Sequence, residues 1–201
     1  MTNSQLFKLI ERAQKYKDPI LTAGIKQLVA ERHYLLNTVK IDPLTGLYNR
    51  RILDQIRDYS VIVMCDIDDF KTINDTFGHA IGDEVIKKIS QVLLKNVRHC
   101  DYVCRTGGDE FLIVFTGNCD ENIVCQRIEN IRTTVTESFN LPDYKVTMSF
   151  GVAANKSSNS DDMESINNSK IPLESLLRNA DDALYESKNF GKNKVSTYHK
   201  W

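Results

Sequence analysis

Residues 102–115 read YVCRTGGDEFLIVF. Two β-rich apolar runs flank Gly107, Gly108 and Asp109, and so short a connection holds the strands antiparallel and side by side. Paired glycines tolerate the backbone angles that a tight turn needs. The hairpin therefore constrains the fold before anything else does: the chain contains an antiparallel sheet. Its tip also carries two adjacent acids, Asp109 and Glu110. Acids at a turn are ordinarily just solvated, so their meaning depends on what the fold brings beside them.

The other elements follow from periodicity. SVIVMCDID (60–68) is a β-rich apolar run that stops abruptly in acids, the pattern of a central strand. DFKTINDTFGHAIGDE follows without an assigned element, and a helix then runs through EVIKKISQVLLKNVR, with Val85, Ile86, Ile89, Val92, Leu93 and Val97 on the 3.6-residue period. A further helix spans about 120–138, held by Ile123, Val124, Ile128, Ile131 and Val135. KVTMSFGVA is a strand, PLESLLRNADDALYESKN a helix with Pro172 near its start, and NKVSTY a closing strand. Upstream, KIDPLTGLYNRR is punctuation and RRILDQIRDY a short helix. The order β-α-β-β-α-β with an extra α-β predicts an α+β fold. Its sheet is antiparallel-rich with helices on one face, the ferredoxin-like or polymerase-palm arrangement.

Two domains are expected: an N-terminal helical segment, 1–40, and a catalytic-sized domain, 41–201. Pro19 divides the first into a stretch with Leu6, Leu9, Ile10 and Ala13 and a second with Leu21, Ile25, Leu28, Leu35 and Val39 at heptad steps, interrupted by Arg32. A dimerisation stalk and a single helix packed on its own domain both satisfy that pattern. The net charge of −1 argues against a nucleic-acid polymer as partner but leaves room for a small nucleotide in a local basic pocket. No apolar run reaches membrane-spanning length. Five cysteines without a C-x-x-C pair read as free thiols, HCDYVC lacks a fourth zinc ligand, and a reducing, cytoplasmic setting is expected. The polar stretch 155–171 reads as loop.

In such a β-α-β-β unit the hairpin tip comes to lie beside the end of the first strand, so Asp66 and the Asp109–Glu110 pair share one patch. Crowded carboxylates repel one another unless cations neutralise them. Magnesium, a hard ion satisfied by a few carboxylates and substrate phosphates, is the natural choice, with Mn²⁺ the alternative.

RTGGDEF, DPLTGLYNRR, CDIDDFKTINDTFGHAIGDE, MSFGVA and NADDALYESKNFGKNKV, in that order from about 41 to 198, closely resemble the GGDEF family of diguanylate cyclases. The resemblance implies a palm-like fold and condensation of two GTP into cyclic di-GMP with release of two pyrophosphates. It implies Asp66, the Ile67 carbonyl, Asp109 and Glu110 as metal ligands, with Asp109 accepting the ribose 3′-hydroxyl proton. Asn74 and Asp83 match guanine readers, an amide and a carboxylate suited to the N1–H and exocyclic amine. Lys71 matches a residue that stabilises phosphate charge, and the backbone of Asp69, Phe70 and Lys71 lines the triphosphate. His79 matches a substrate-adjacent position, although a histidine in FGH is as readily a packing residue. Lys188 and Lys192 match basic residues at the terminal phosphates, Lys192 standing where the family often has Arg. Asp68 and Asp69 are read as spectators, and Asp42 as fixing the entrance to the domain. Arg105 is left between supporting the hairpin and approaching a phosphate.

Arg98 and Asp101 have the R-x-x-D spacing of the family's inhibitory product site, and equally that of an ordinary i, i+3 salt bridge. The helix after the hairpin departs from the family: Asn130 stands where some members place a further product-binding Arg, with Arg127 and Arg132 nearby. The implied assembly is a homodimer with GTP and cyclic di-GMP as ligands. The alternative is a catalytically silent module that binds GTP or cyclic di-GMP.

Overall fold

The computed structural model describes residues 19–38, 40–155 and 171–199. The chain divides into two compact units, 1–40 and 41–201. Of the first, helix α1 (Pro19–Thr38) is described. Leu6, Leu9, Ile10, Ala13 and Val39 lie outside the described residues, as do the side chains of Leu21, Arg32 and Leu35 and nearly all of the 155–171 stretch.

The second unit runs β1 (Tyr48–Asn49), a 3₁₀ turn (Arg50–Gln55), β2 (Val61–Ile67), α2 (Phe70–Phe77), α3 (His79–Lys95), β3 (Tyr102–Arg105), β4 (Glu110–Phe115), α4 (Glu121–Ser138), β5 (Met148–Ala154), α5 (Leu173–Asn189) and β6 (Val195–Thr197). Its six described strands form one sheet in the order β1-β3-β4-β2-β5-β6. The β3–β4 hairpin is as expected, and β2 lies between β4 and β5, antiparallel to both. Among the described residues, no helix is long and apolar enough to cross a membrane.

Three details differ from the sequence reading. The helices cover both faces of the sheet, not one. Val61, Val63, Cys65 and Ile67 of β2 pack with Val85, Ile89, Ile128 and Ile131 of α3 and α4. Ile62 lies on the opposite side with Leu112, Val114, Ala153 and, from α5 and the 3₁₀ turn, Leu176, Ala180 and Ile52. A central strand that is apolar at nearly every position needs cover on both faces, and this is why SVIVMC shows no alternation. The stretch after β2 is helical: α2 begins behind Asp69, whose left-handed backbone (φ 53°) turns the chain, and stops at Gly78 (φ 84°), from which α3 departs at once. Lastly, the Pro- and Gly-marked segment 40–51 contributes a two-residue strand, β1, parallel to β3.

Close packing of α5 on β5 depends on one residue. A Cβ on Gly151 would stand 2.1 Å from both Ala180 O and Leu184 N. Glycine at that position therefore sets how near α5 lies to the sheet, and with it the reach of the side chains at the helix's C-terminal end.

Candidate active site

The sheet brings the acids together. Asp66 is directly opposite Glu110 in the β2–β4 register. Ile67 N–H donates to Asp109 O at 3.2 Å, which makes 67/109 the hydrogen-bonded pair and leaves Asp66/Glu110 in the closer, non-hydrogen-bonded position. Residues so placed have Cα atoms about 4.5 Å apart. Like charges at this spacing repel. By the strand's alternation both acids project to the α5 side of the sheet, where Lys188, in the last turn of α5, meets Asp66 with Nζ–Oδ2 of 2.7 Å.

Asp66 is 7% exposed. Burial raises its carboxyl, Lys188 works against that, and Asp109 and Glu110 add to the rise, so the group is pushed up to about 6. One lysine does not neutralise this corner of the molecule.

The hairpin turn is held from outside. Arg105 Nε and Nη2 donate to Gly108 O at 3.1 and 2.7 Å, and Nη1 reaches the Asp42 carboxylate at 3.2 Å. Asp42 also accepts from the Thr45 N–H and hydroxyl. Burial works to raise the Asp42 carboxyl, but these bonds and the guanidinium hold it below the usual range. Arg105 is thus the brace of the turn, and Asp42 ties the entry segment to it. Gly107 keeps the Glu110 carboxylate over the turn, since a Cβ there would stand 2.7 Å from Oε2. Thr106 Oγ1 is buried at this turn without a protein partner.

Across the Gly78 corner, α2 supplies Asn74 and α3 supplies Asp83. Asn74 O accepts from Gly78 N–H, which closes α2 directly before α3 starts. The Asn74 carboxamide lies against α3 at Gly82, where a Cβ would approach Oδ1 to 2.0 Å. Gly82 lies in a stretch to which the sequence pattern gives no element, and its one signal there is its place immediately before Asp83. Phe70 and Lys71 open α2, Phe70 packed on the core and Lys71 exposed. His79 is exposed at the first position of α3. Lys192 stands on the Asp69 carboxylate at 2.6 Å.

Arg98 and Asp101 are elsewhere, at the start of β3, one strand length from the turn. Four strand residues span about 13 Å. Arg98 grips both Asp101 oxygens, Nε to Oδ2 at 3.1 Å and Nη2 to Oδ1 at 2.8 Å, and also reaches Thr116 O. The Arg98 and Thr116 N–H groups donate to the same carboxylate. Burial acts to raise Asp101, and these donors outweigh it and hold the group low.

Hard carboxylate oxygens from Asp66, Asp109 and Glu110 suit a divalent cation. Among the described residues, no three His, Cys, Asp or Glu side chains are gathered at metal-ligand spacing. Lys188 supplies the positive charge at Asp66.

The model of the GGDEF-domain diguanylate cyclase family matches residues 39–194. This chain belongs to that family. It is 37% identical over 175 residues to the diguanylate cyclase DosC of Escherichia coli, an alignment covering 80% of this chain and 35% of DosC. Diguanylate cyclase A of Treponema denticola is 36% identical over 178 residues, covering 87% of this chain and 44% of that protein. The chain thus spans less than half the length of these curated relatives. Among solved structures, the GGDEF domain of DgcB from Caulobacter crescentus in complex with c-di-GMP superposes with a TM-score of 0.66 at 30% identity, covering 81% of this chain and 97% of that one.

Proposed function

We propose that this domain is a diguanylate cyclase that condenses two GTP into cyclic di-GMP and releases two pyrophosphates. The observation that carries this reading is the pairing of Asp66 with Glu110 beside the glycine turn, in a chain of this family. The acids are read as the site of Mg²⁺, or Mn²⁺. When bound, such an ion neutralises the acids and the substrate triphosphate.

The chain's own residues then do the following. Asn74 and Asp83 read the guanine edge, and their unpaired polar groups reject adenine. Lys188 and Lys192 exchange their carboxylate partners for the terminal phosphates, with the α2 N-terminus and Lys71 alongside. Lysine does this as a point charge, without the bidentate grip of Arg. His79 lines the approach to the site. Asp109 accepts the 3′-hydroxyl proton as that oxygen bonds to the α-phosphorus of the opposing GTP, and the P–O bond to pyrophosphate breaks. One domain holds one GTP, so two domains must face each other, and in-line positioning between them is much of the catalysis. The N-terminal segment, 1–40, is read as the device that aligns the pair. Arg98 and Asp101 are read as a product-inhibition site; because both are already engaged with each other, inhibition there requires product to compete with a formed ion pair.

Incubating the purified protein with GTP and Mg²⁺ and identifying the product by mass spectrometry tests this directly. Cyclic di-GMP is expected, with Asp109→Asn and Glu110→Gln reducing it to background. GTP or cyclic di-GMP binding without product, even when the domains are forcibly dimerised, would establish the silent-module reading instead. Added cyclic di-GMP should slow the wild type and spare Arg98→Ala.

A further inference from the structure

Asp68 was set aside as a spectator beside Asp66, and the structure gives it a different position. It is 5% exposed, and three donors from two distant parts of the chain converge on its carboxylate. Thr147 Oγ1 donates to Oδ2 at 2.7 Å, Ser149 Oγ to Oδ1 at 2.6 Å, and the Asn193 N–H to Oδ2 at 3.0 Å. Its own N–H donates to Thr147 O at 2.9 Å, which carries the β2–β5 ladder one step past the end of the strand.

The third donor matters most. Lys192 and Asn193 are consecutive non-glycine residues in the left-handed region, with φ of 61° and 45°. Such a pair persists only where surrounding contacts hold it. Asp68 holds the turn from the sheet side through the Asn193 N–H. Arg132 holds it from α4, donating to Asn193 Oδ1 at 3.0 Å. The turn in turn aims Lys192, whose Nζ lies 2.6 Å from Asp69 Oδ1. Asp69 is the left-handed residue from which α2 starts, and its carbonyl receives the Thr72 and Ile73 N–H groups. Asp68 therefore links the turn that carries Lys192 to the segment that launches α2.

We propose that Asp68 is a positioning residue for the phosphate side of the site: it touches no substrate, and it fixes the 191–194 turn so that Lys192 faces the start of α2 where the terminal phosphates lie. This rests on the cyclase reading above. A carboxylate suits the task because it accepts on both oxygens and donates on neither, which matches three converging donors. Lys192 interacts with phosphates that are bound in both ground and transition states, so its misplacement weakens binding more than it slows the chemical step.

The test is a double-mutant cycle on the full chain, using Asp68→Ala, Lys192→Met and the pair. It is read by GTP KM and kcat and, independently, by calorimetric binding of inorganic tripolyphosphate with Mg²⁺. Asp68→Ala should raise KM and the tripolyphosphate Kd about tenfold and change kcat less than about threefold. Adding Lys192→Met should bring little further loss, because Asp68 acts through Lys192. Asp68→Asn should recover part of the binding, since Ser149 can turn its hydroxyl to accept from the new amide.

Additive losses in the cycle, or a fall in kcat and melting temperature with KM and Kd unchanged, would overturn the proposal and leave Asp68 as a general structural residue. If Asp68→Ala does not fold, Thr147→Val and Ser149→Ala, each removing one donor, should show the same KM-dominated pattern; unchanged binding in both overturns it. Failure of the functional reading looks different: the wild type would then make no cyclic di-GMP, while the tripolyphosphate cycle would still report on Asp68.

Discussion

Asp66, within β2, and Asp101, just ahead of β3, are both buried aspartates paired with a cation, and they have opposite characters. Asp101 accepts from a two-pronged guanidinium and two backbone N–H groups, and its carboxyl is held below the ordinary range. Asp66 meets a single lysine ammonium, faces Glu110 and Asp109, and is raised to about 6. The first carboxylate is fully satisfied by the protein. The second is under-neutralised by the protein's own groups, which is the condition expected where an external cation completes a site. Placement in the sheet makes the difference. Asp101 precedes β3, where free backbone N–H groups are to hand, whereas Asp66 lies within β2, where backbone donors are committed to the ladder and the nearest cross-strand neighbour is another acid.

The contrast can be broken by substitution, beginning with the largest effect. Asp66→Asn should lower cyclic di-GMP formation about 10²–10³-fold in a steady-state assay, since it removes charge where charge must be stabilised. Asp101→Asn should leave the chemistry intact but cost about 3 kcal/mol in urea unfolding. The low end of the range for broken buried pairs applies because the Arg98 side chain is 42% exposed and can rehydrate.

Stability should respond to Asp66→Asn in the opposite direction. A carboxyl raised from 3.8 to about 6 binds its proton more tightly in the folded state. Its contribution is complete below about pH 3.8 and is lost as pH rises through about 6, so the ionised group costs about 2–3 kcal/mol at pH 7. Asn escapes that cost, for a net gain of about 1–2 kcal/mol once solvent screening is allowed for, the pull of Lys188 being already contained in the position of the carboxyl. The wild-type-minus-variant stability should therefore fall between pH 4 and 6, measured without nucleotide or divalent metal. A flat difference would mean that Lys188 neutralises Asp66 fully.

Smaller still is the effect expected at an exposed pair. Lys87–Glu84, with side chains 42% and 67% exposed, should tolerate Glu84→Gln with no resolvable change in the same unfolding measurement. A larger loss there would show that exposure does not separate the two kinds of pair in this protein.

Much of the architecture was legible because it is written in local pattern. The apolar run of β2, the period of α3 and α4, and the Gly-Gly turn each occupy fewer than twenty consecutive residues. The order of elements does not reveal cover on both faces, although the unbroken apolarity of SVIVMC is its sign. The segment 69–78 shows no clear pattern because its helix is short and depends on Asp69 in a left-handed conformation and on Gly78. At the site, Asp66 is marked as an acid ending an apolar run, and Asp109 and Glu110 as adjacent acids at the tip of a glycine turn. Asp68 and Gly82 are not so marked, since their partners, Ser149 and Asn74, belong to other elements.

The sequence by itself determined most of the strands and helices, and that one acid ends a central strand while two more sit at a hairpin tip, because periodicity and turn chemistry act within a few residues. Tertiary structure alone decided what those acids meet. Gly151 lets α5 approach β5, and Lys188, at the end of that helix, lands on Asp66. Arg105 braces the turn from Asp42, sixty-three residues away. Asp68 joins β2 to a turn 125 residues later. Charge and hydrogen-bond partners depend on distance in space, and only the folded chain sets those distances.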